Sequence, residues 1–232
     1  MTINVTLFIP QKELPMDYRP TILSLFKALL SRIYPEDFER LYASGVSKNF
    51  TFAMKFESPV FSEGKLSFSS ENVLLRLSSG DEYLSMLFYN AFCKSIGYAH
   101  PLGSDRTMSV RDVHMLPQPK MNRNTAVIKF LSPLVVRKHM PGEPDRYYVF
   151  ADPEFAPCLD SVVSRQIGRS VKVLIEPVAP KKTVVRCFGV KIRCSLGFYR
   201  ITTEPEILDA LTKGGLGSRR DMGFGLFAVT GG

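Results

Sequence analysis

Gly214-Gly215-Leu216-Gly217-Ser218-Arg219-Arg220-Asp221-Met222-Gly223-Phe224-Gly225, followed by the apolar run Leu226-Phe227-Ala228-Val229, is the stretch on which the reading of this sequence turns. Residues 208–213 before it read as helix, with Gly214 as a C-cap, and residues 224–229 after it read as strand. A helix stop and a tight turn account for one or two glycines. Five glycines around Arg219 and Arg220 instead suggest a mobile, side-chain-poor loop whose backbone N–H groups approach a phosphate closely. No Gly-Lys-Ser/Thr follows, so this is not a nucleotide P-loop. The order helix, loop, strand also excludes a dinucleotide fingerprint, which follows a strand and opens a helix.

Working back from that loop, the second half reads as strand 126–131, helix 153–168, strands 171–175, 184–190 and 192–198, helix 205–213 and a last strand 224–229. The first half has the same order. Ile3, Val5, Leu7 and Ile9 alternate in a strand ended by Pro10, and Ile22, Leu25, Phe26, Leu29, Leu30 and Ile33 mark one face of a helix over 18–33. A shorter helix follows over 35–42, with Pro35 near its start. Phe50, Phe52, Met54 and Phe56 alternate in a strand, then come a strand at 73–77, a helix over 81–96 and a strand over 107–116. Pro117-Gln118-Pro119-Lys120 is the linker. Two βαββαβ units predict an α+β chain of tandem ferredoxin-like domains, 1–118 and 119–232, with the glycine-rich loop in the second.

The net charge of +8 and pI near 9.3 favour an anionic partner such as nucleic acid. Cys93, Cys158, Cys187 and Cys194 have no CxxC spacing and lie far in sequence from His100, His114 and His139. They are expected to be reduced thiols of a cytoplasmic protein, with no metal site and no cofactor. The first residues lack the basic and apolar regions of a signal peptide, and no apolar run approaches the ~20 residues of a membrane span. Glu36, Asp37 and Glu39 read as acids at a helix start.

Phe130-Leu131-Ser132-Pro133-Leu134-Val135-Val136-Arg137, Gly197-Phe198 before Pro205-Glu206-Ile207-Leu208, and the glycine loop together resemble the CRISPR-associated repeat-processing endoribonucleases, Cas family six, of the repeat-associated RNA-binding superfamily. The resemblance extends over almost the whole chain and is strongest in its second half. It implies two ferredoxin-like folds clasping a CRISPR repeat, and metal-independent cleavage of precursor RNA. A ribose 2′-OH attacks the adjacent phosphate, leaving 2′,3′-cyclic phosphate and 5′-OH ends. That reaction needs a base, a cation for the developing charge and an acid for the leaving oxygen.

In many members of the family a histidine follows the first helix, with a lysine a few residues later. Here the segment reads Arg40-Leu41-Tyr42-Ala43-Ser44-Gly45-Val46-Ser47-Lys48-Asn49-Phe50, so Tyr42 stands at the histidine position and Lys48 at the lysine position. A tyrosine that the family carries on the first helix is replaced by Phe26-Lys27. The implied catalytic residues are Tyr42, Lys48 and Lys27. Tyrosine's ordinary pKa near 10 suits a neutral-pH base poorly, so Tyr42 either acts through its hydroxyl or orients RNA by its ring. RNA contacts are expected from Arg137, Lys138 and His139, from Lys181, Lys182 and Arg186, and from Gly215, Gly217, Ser218, Arg219, Arg220, Gly223 and Gly225. His100 and His114 read as structural or surface residues. The implied partner is CRISPR repeat RNA, with a CRISPR effector complex and a homodimer left open; the alternatives to an enzyme are a catalytically inactive repeat binder and a structural subunit of such a complex.

Overall fold

Ile3, Val5 and Leu7 are fully buried in β1 (Thr2–Phe8), as alternation in a strand with one core face requires. The structure is a computed structural model that describes residues 1–43, 46, 48–102, 106–118 and 120–231; Pro119 of the expected linker and Ser44, Gly45 and Ser47 of the Tyr42 segment lie outside these. After β1 come β2 (Glu13–Pro15), α1 (Arg19–Ile33), α2 (Pro35–Tyr42), β3 (Phe50–Lys55), β4 (Val60–Ser62), β5 (Lys65–Ser67), β6 (Asn72–Ser79), α3 (Glu82–Cys93), β7 (Ala99–Pro101) and β8 (Thr107–Leu116). The main sheet has the order β3-β6-β1-β8-β7, antiparallel throughout, and β2, β5 and β4 form a small sheet beside it. Setting β7 aside, the strands follow the ferredoxin-like order second, third, first, fourth.

Phe26 holds the first core together. Its ring makes edge contacts with Phe50, Phe52, Phe88 and Phe92 at 5.2–6.1 Å, joining α1, β3 and α3 over one face of the sheet. Helix α3 is shorter than expected: Asp81 caps its start by accepting from the Leu84 N–H at 3.0 Å, and it ends at Cys93.

The second half continues with β9 (Thr125–Phe130), β10 (Val136–Lys138), β11 (Arg146–Tyr148), α4 (Phe155–Ile167), β12 (Leu174–Cys187), β13 (Val190–Thr202), α5 (Pro205–Gly214) and β14 (Phe227–Gly231). Its sheet has the order β12-β13-β9-β14, again second, third, first, fourth, over a core of Ile128, Leu159, Val163, Tyr199, Ile201, Leu208 and Leu211. Both halves are ferredoxin-like, as the sequence predicts.

Two expectations need correction. The strands foreseen at 171–175, 184–190 and 192–198 are one long ribbon, β12 paired with β13 from Leu174↔Thr202 to Cys187↔Val190. Pro177 and Pro180 lie within β12. They are tolerated because β12 is an edge strand, with a register shift between Pro177 and Ala179. Phe188 and Gly189 form the turn with φ of 50° and 78°, a two-residue hairpin connection of the I′ kind. The last strand begins at Phe227 rather than at 224, because Phe224 is buried in a separate cluster with Val135, Cys187, Ile192 and Cys194.

The glycine-rich loop is a packed wedge between the two domains, which corrects the expectation of a mobile loop. On the first domain, Thr51 Oγ1 donates to the Phe224 carbonyl at 2.7 Å, and Arg220 donates to Asn49 Oδ1 at 2.9 Å. On the second, the Ser218 N–H donates to the Val135 carbonyl and the Gly225 N–H to the Pro133 carbonyl, both at 2.8 Å. Gly223 leaves room for the Phe52 ring, which a Cβ would meet at 2.6 Å; at Gly225 a Cβ would lie 1.9 Å from the Leu216 carbonyl oxygen, at a φ of +74°. Gly225→Ala should therefore destabilise the protein by about 2 kcal/mol or more, through left-handed strain and overlap with backbone. Urea unfolding measures this, and an unchanged midpoint would contradict the packing described.

Candidate nucleic-acid interface and catalytic site

Helix α2 ends at Tyr42, and the chain returns through Lys48 into β3, bringing both residues beside Lys27 of α1. The Lys27 and Lys48 ammonium groups lie 5.2 and 5.1 Å from the centre of the Tyr42 ring, within cation–π range. Lys48 Nζ is also 3.9 Å from Asp221 Oδ2 of the wedge loop. The Tyr42 hydroxyl is buried without a hydrogen-bond partner. Burial, and then the Asp221 charge, push its pKa up to about 12, so it holds its proton at neutral pH.

These residues line a cavity of about 390 Å³ with Ser24, Phe50, Asp221, Met222 and Phe188. Phe188 comes from the turn of the β12–β13 ribbon, which reaches the first domain where the Gly189 N–H donates to Asp17 Oδ2 at 3.0 Å. Lys48 and Asp221 line a neighbouring cavity of about 320 Å³ as well, together with Arg137, His139, Arg165, Gln166, Gly217, Ser218, Arg219 and Arg220. The two cavities adjoin at Lys48 and Asp221, which line both, in the cleft between the domains.

Much of the expected set is thus brought together. Tyr42, Lys48 and Lys27 meet in one part of the cleft, and Arg137, His139, Gly217, Ser218, Arg219 and Arg220 in the other. Lys181, Lys182 and Arg186 lie apart from it on the edge strand β12, and Lys138 is exposed at the end of β10. His100 is on β7 with its pKa lowered by burial, and His114 of β8 faces Asp112; neither lines the cleft.

Several loop groups already have partners within the protein. The N–H groups of Gly215, Gly223 and Gly225 donate to Leu211, Arg220 and Pro133 carbonyls, so these three are not phosphate donors in this conformation. Arg219 donates to Asp145 Oδ2 at 3.1 Å and to the Tyr147 hydroxyl at 2.8 Å. Arg220 also donates to the Gly214 carbonyl at 2.6 Å, and burial lowers its pKa to about 10, which leaves it a cation at neutral pH.

Arg165, Gln166, Asn49, Asp145 and Asp221 were not foreseen as part of the site. Arg165 and Gln166 close α4, and nothing local in the sequence separates them from an ordinary exposed helix end. Among the described residues no group of three or more His, Cys, Asp or Glu is placed to hold a metal ion, and no helix is long and apolar enough to cross a membrane.

Residues 116–229 match the family model for the C-terminal part of the CRISPR-associated protein Cas6. The chain belongs to the Cas6 family. Along its whole length the fold is similar to that of a Cas6-related protein from Pyrococcus furiosus, at 22% identity and a TM-score of 0.83, covering 99% of this chain and 98% of that one. It is also similar to a RAMP protein that binds different RNA substrates, at 24% identity and a TM-score of 0.81 over 99% of both chains. A third similar structure is a Cas6 product complex, at 21% identity and a TM-score of 0.69 over 99% of this chain and 100% of that one. No curated protein matches the chain in sequence.

In this Cas6-family chain the Tyr42 ring lies near two ammonium groups and its hydroxyl is buried without a hydrogen-bond partner. Tyr42→Phe removes a buried polar atom that gains nothing from the folded protein, so stability should stay level or rise by up to about 1 kcal/mol. Folded Tyr42 holds its proton more tightly than unfolded tyrosine. Its contribution to stability is therefore full below pH 10 and is lost as pH climbs toward 12. The phenylalanine variant should lack that part of the alkaline loss in denaturant titrations; identical alkaline profiles would show the hydroxyl to be solvated.

Proposed function

We propose that this protein binds CRISPR repeat RNA in the cleft between its domains, divided at 118/119, and cleaves precursor transcripts by metal-independent attack of a ribose 2′-OH. The observation that carries this reading is the convergence of Lys27, Tyr42 and Lys48 with Arg137, His139, Arg165, Arg219 and Arg220 around one cleft. Asp145 and Asp221 offset only part of that positive charge. A phosphodiester is the ligand whose charge fits, and its binding should weaken steeply with salt.

Within the cleft each group has a role its surroundings suit. Lys48, with Lys27, stabilises the charge that builds on the phosphate oxygens as the 2′-oxygen adds. Tyr42 keeps its proton at neutral pH, so its hydroxyl serves as a donor to the leaving 5′-oxygen rather than as a base. The same property favours a second reading, a repeat binder without cleavage, because the position at which many family members carry a histidine holds no base.

Incubation with a cognate repeat in EDTA separates the two readings. Cleavage yielding a 2′,3′-cyclic phosphate, and none from RNA with 2′-deoxyribose at the scissile position, supports the nuclease; tight binding without cleavage supports the second reading. In the nuclease, Lys48→Ala should slow single-turnover cleavage by about 10²–10³-fold, the effect of removing one stabiliser of transition-state charge, with affinity changed only a few-fold. A wild-type rate at saturating protein would remove Lys48 from the reaction.

A further inference from the structure

Strands β10 and β11 pair in a short hairpin whose last register positions are Lys138 and Arg146. The next residues inward are His139 and Asp145, so the pairing sets them face to face across the connection. His139 Nδ1 lies 2.8 Å from Asp145 Oδ1. The other carboxylate oxygen, Oδ2, accepts from Arg137 at 2.9 Å, Arg219 at 3.1 Å and the Tyr147 hydroxyl at 3.2 Å. Asp145 is thus fixed from both sides, with Oδ1 turned to the imidazole.

Burial pushes the Asp145 carboxyl up, but hydrogen bonds and charge from His139, Arg137 and Arg219 outweigh it and hold the group well below the usual carboxylate range. Asp145 is then an acceptor only. In neutral His139 the hydrogen must therefore sit on Nδ1, which leaves the lone pair on Nε2. An imidazole oriented by a carboxylate, with its far nitrogen basic, is the arrangement a general base requires. His139 lines the same cavity of about 320 Å³ as Lys48.

We propose that His139 is the general base of the cleavage reaction, oriented by Asp145, supplying the function that Tyr42 cannot. The inference rests on the nuclease reading above. Nε2 takes the proton of the attacking 2′-OH as the bond from the 2′-oxygen to phosphorus forms and the bond from phosphorus to the 5′-oxygen breaks. The leaving 5′-oxygen takes the Tyr42 hydroxyl proton, and the imidazolium returns its proton through solvent to restore Tyr42. Asp145 is a positioning residue. The charged or titratable groups around His139 are Asp145, Arg137, Lys138, Tyr147 and Arg219 on its own hairpin and the wedge loop, with Arg165 of α4, Lys48, Arg220 and Asp221 across the cleft. Asp145, held well below the usual carboxylate range, stays ionised, and Arg220, lowered to about 10, stays a cation at neutral pH.

Single-turnover cleavage of repeat RNA at saturating protein between pH 5.5 and 9 tests this. Wild-type rates should rise about tenfold per pH unit at the acid end and level off once the imidazole is neutral. His139→Ala and His139→Gln should each slow cleavage by about 100-fold or more and flatten the acid limb, with affinity within a few-fold of wild type. Added imidazole should restore part of the rate to His139→Ala. Glutamine can still hydrogen-bond Asp145, so a loss shared by both variants is a loss of basicity and not of the hairpin. His139→Gln cleaving within threefold of wild type with an unchanged pH profile would overturn the proposal and leave the nuclease reading intact. So would a variant that loses affinity alone. A wild-type protein that binds the repeat and never cleaves it overturns both.

Discussion

Arg220 reaches out of the second domain to Asn49 of the first and, in the same grip, to the carbonyl of Gly214 at the end of α5. The geometry of the cleft depends on that tie and on the glycine wedge that carries it. Thr51 binds the wedge from β3 and Pro133 from the turn after β9, so the edge of one sheet and the start of the other are set against the same short loop. A side chain at Gly223 would press on the Phe52 ring of the first domain, and one at Gly225 would overlap the Leu216 backbone within the wedge itself. The glycines thus allow close approach of backbone and ring, and the arginines between them bind protein as well as lining the cleft.

That placement explains the electrostatics of the site. Asp221 is carried by the wedge to within 3.9 Å of Lys48, a long contact that leaves the ammonium able to meet a phosphate. Asp145 collects Arg137, Arg219 and His139, so one half-buried carboxylate orders three donors along one wall. Tyr42 is placed where its ring faces two cations while its hydroxyl has no hydrogen-bond partner in the protein. An ionised phenolate there would be poorly solvated and repelled by Asp221, so in the RNA-free protein the proton stays on at neutral pH.

Both βαββαβ units were legible in the sequence because periodicity reports burial directly: Ile3, Val5 and Leu7 alternate, and Ile22, Leu25, Phe26, Leu29 and Leu30 recur at helical spacing, each for the reason that it faces a core. The ribbon β12–β13 was misread as shorter strands because most of β12 is exposed. It has no buried face to impose alternation. Lys27, Tyr42 and Lys48 were reached through resemblance to a family, not through any pattern of their own. The Asp145–His139 pair was invisible for a different reason: the two residues are six apart, across a hairpin whose strands are three residues each, too short to leave a periodic signal. Residues that meet only when two domains close, such as Lys48 and Asp221, have no local signature at all.

The most direct measurement is a structure of the protein with repeat RNA carrying 2′-deoxyribose at the scissile position, which blocks attack and preserves the bound geometry. The account predicts the scissile phosphate in the interdomain cleft, within hydrogen-bond distance of Lys48 and beside the Tyr42 hydroxyl, with the wedge loop unchanged. RNA running along the outer face of the β12–β13 ribbon, with the cleft between Tyr42 and Arg219 empty, would contradict it.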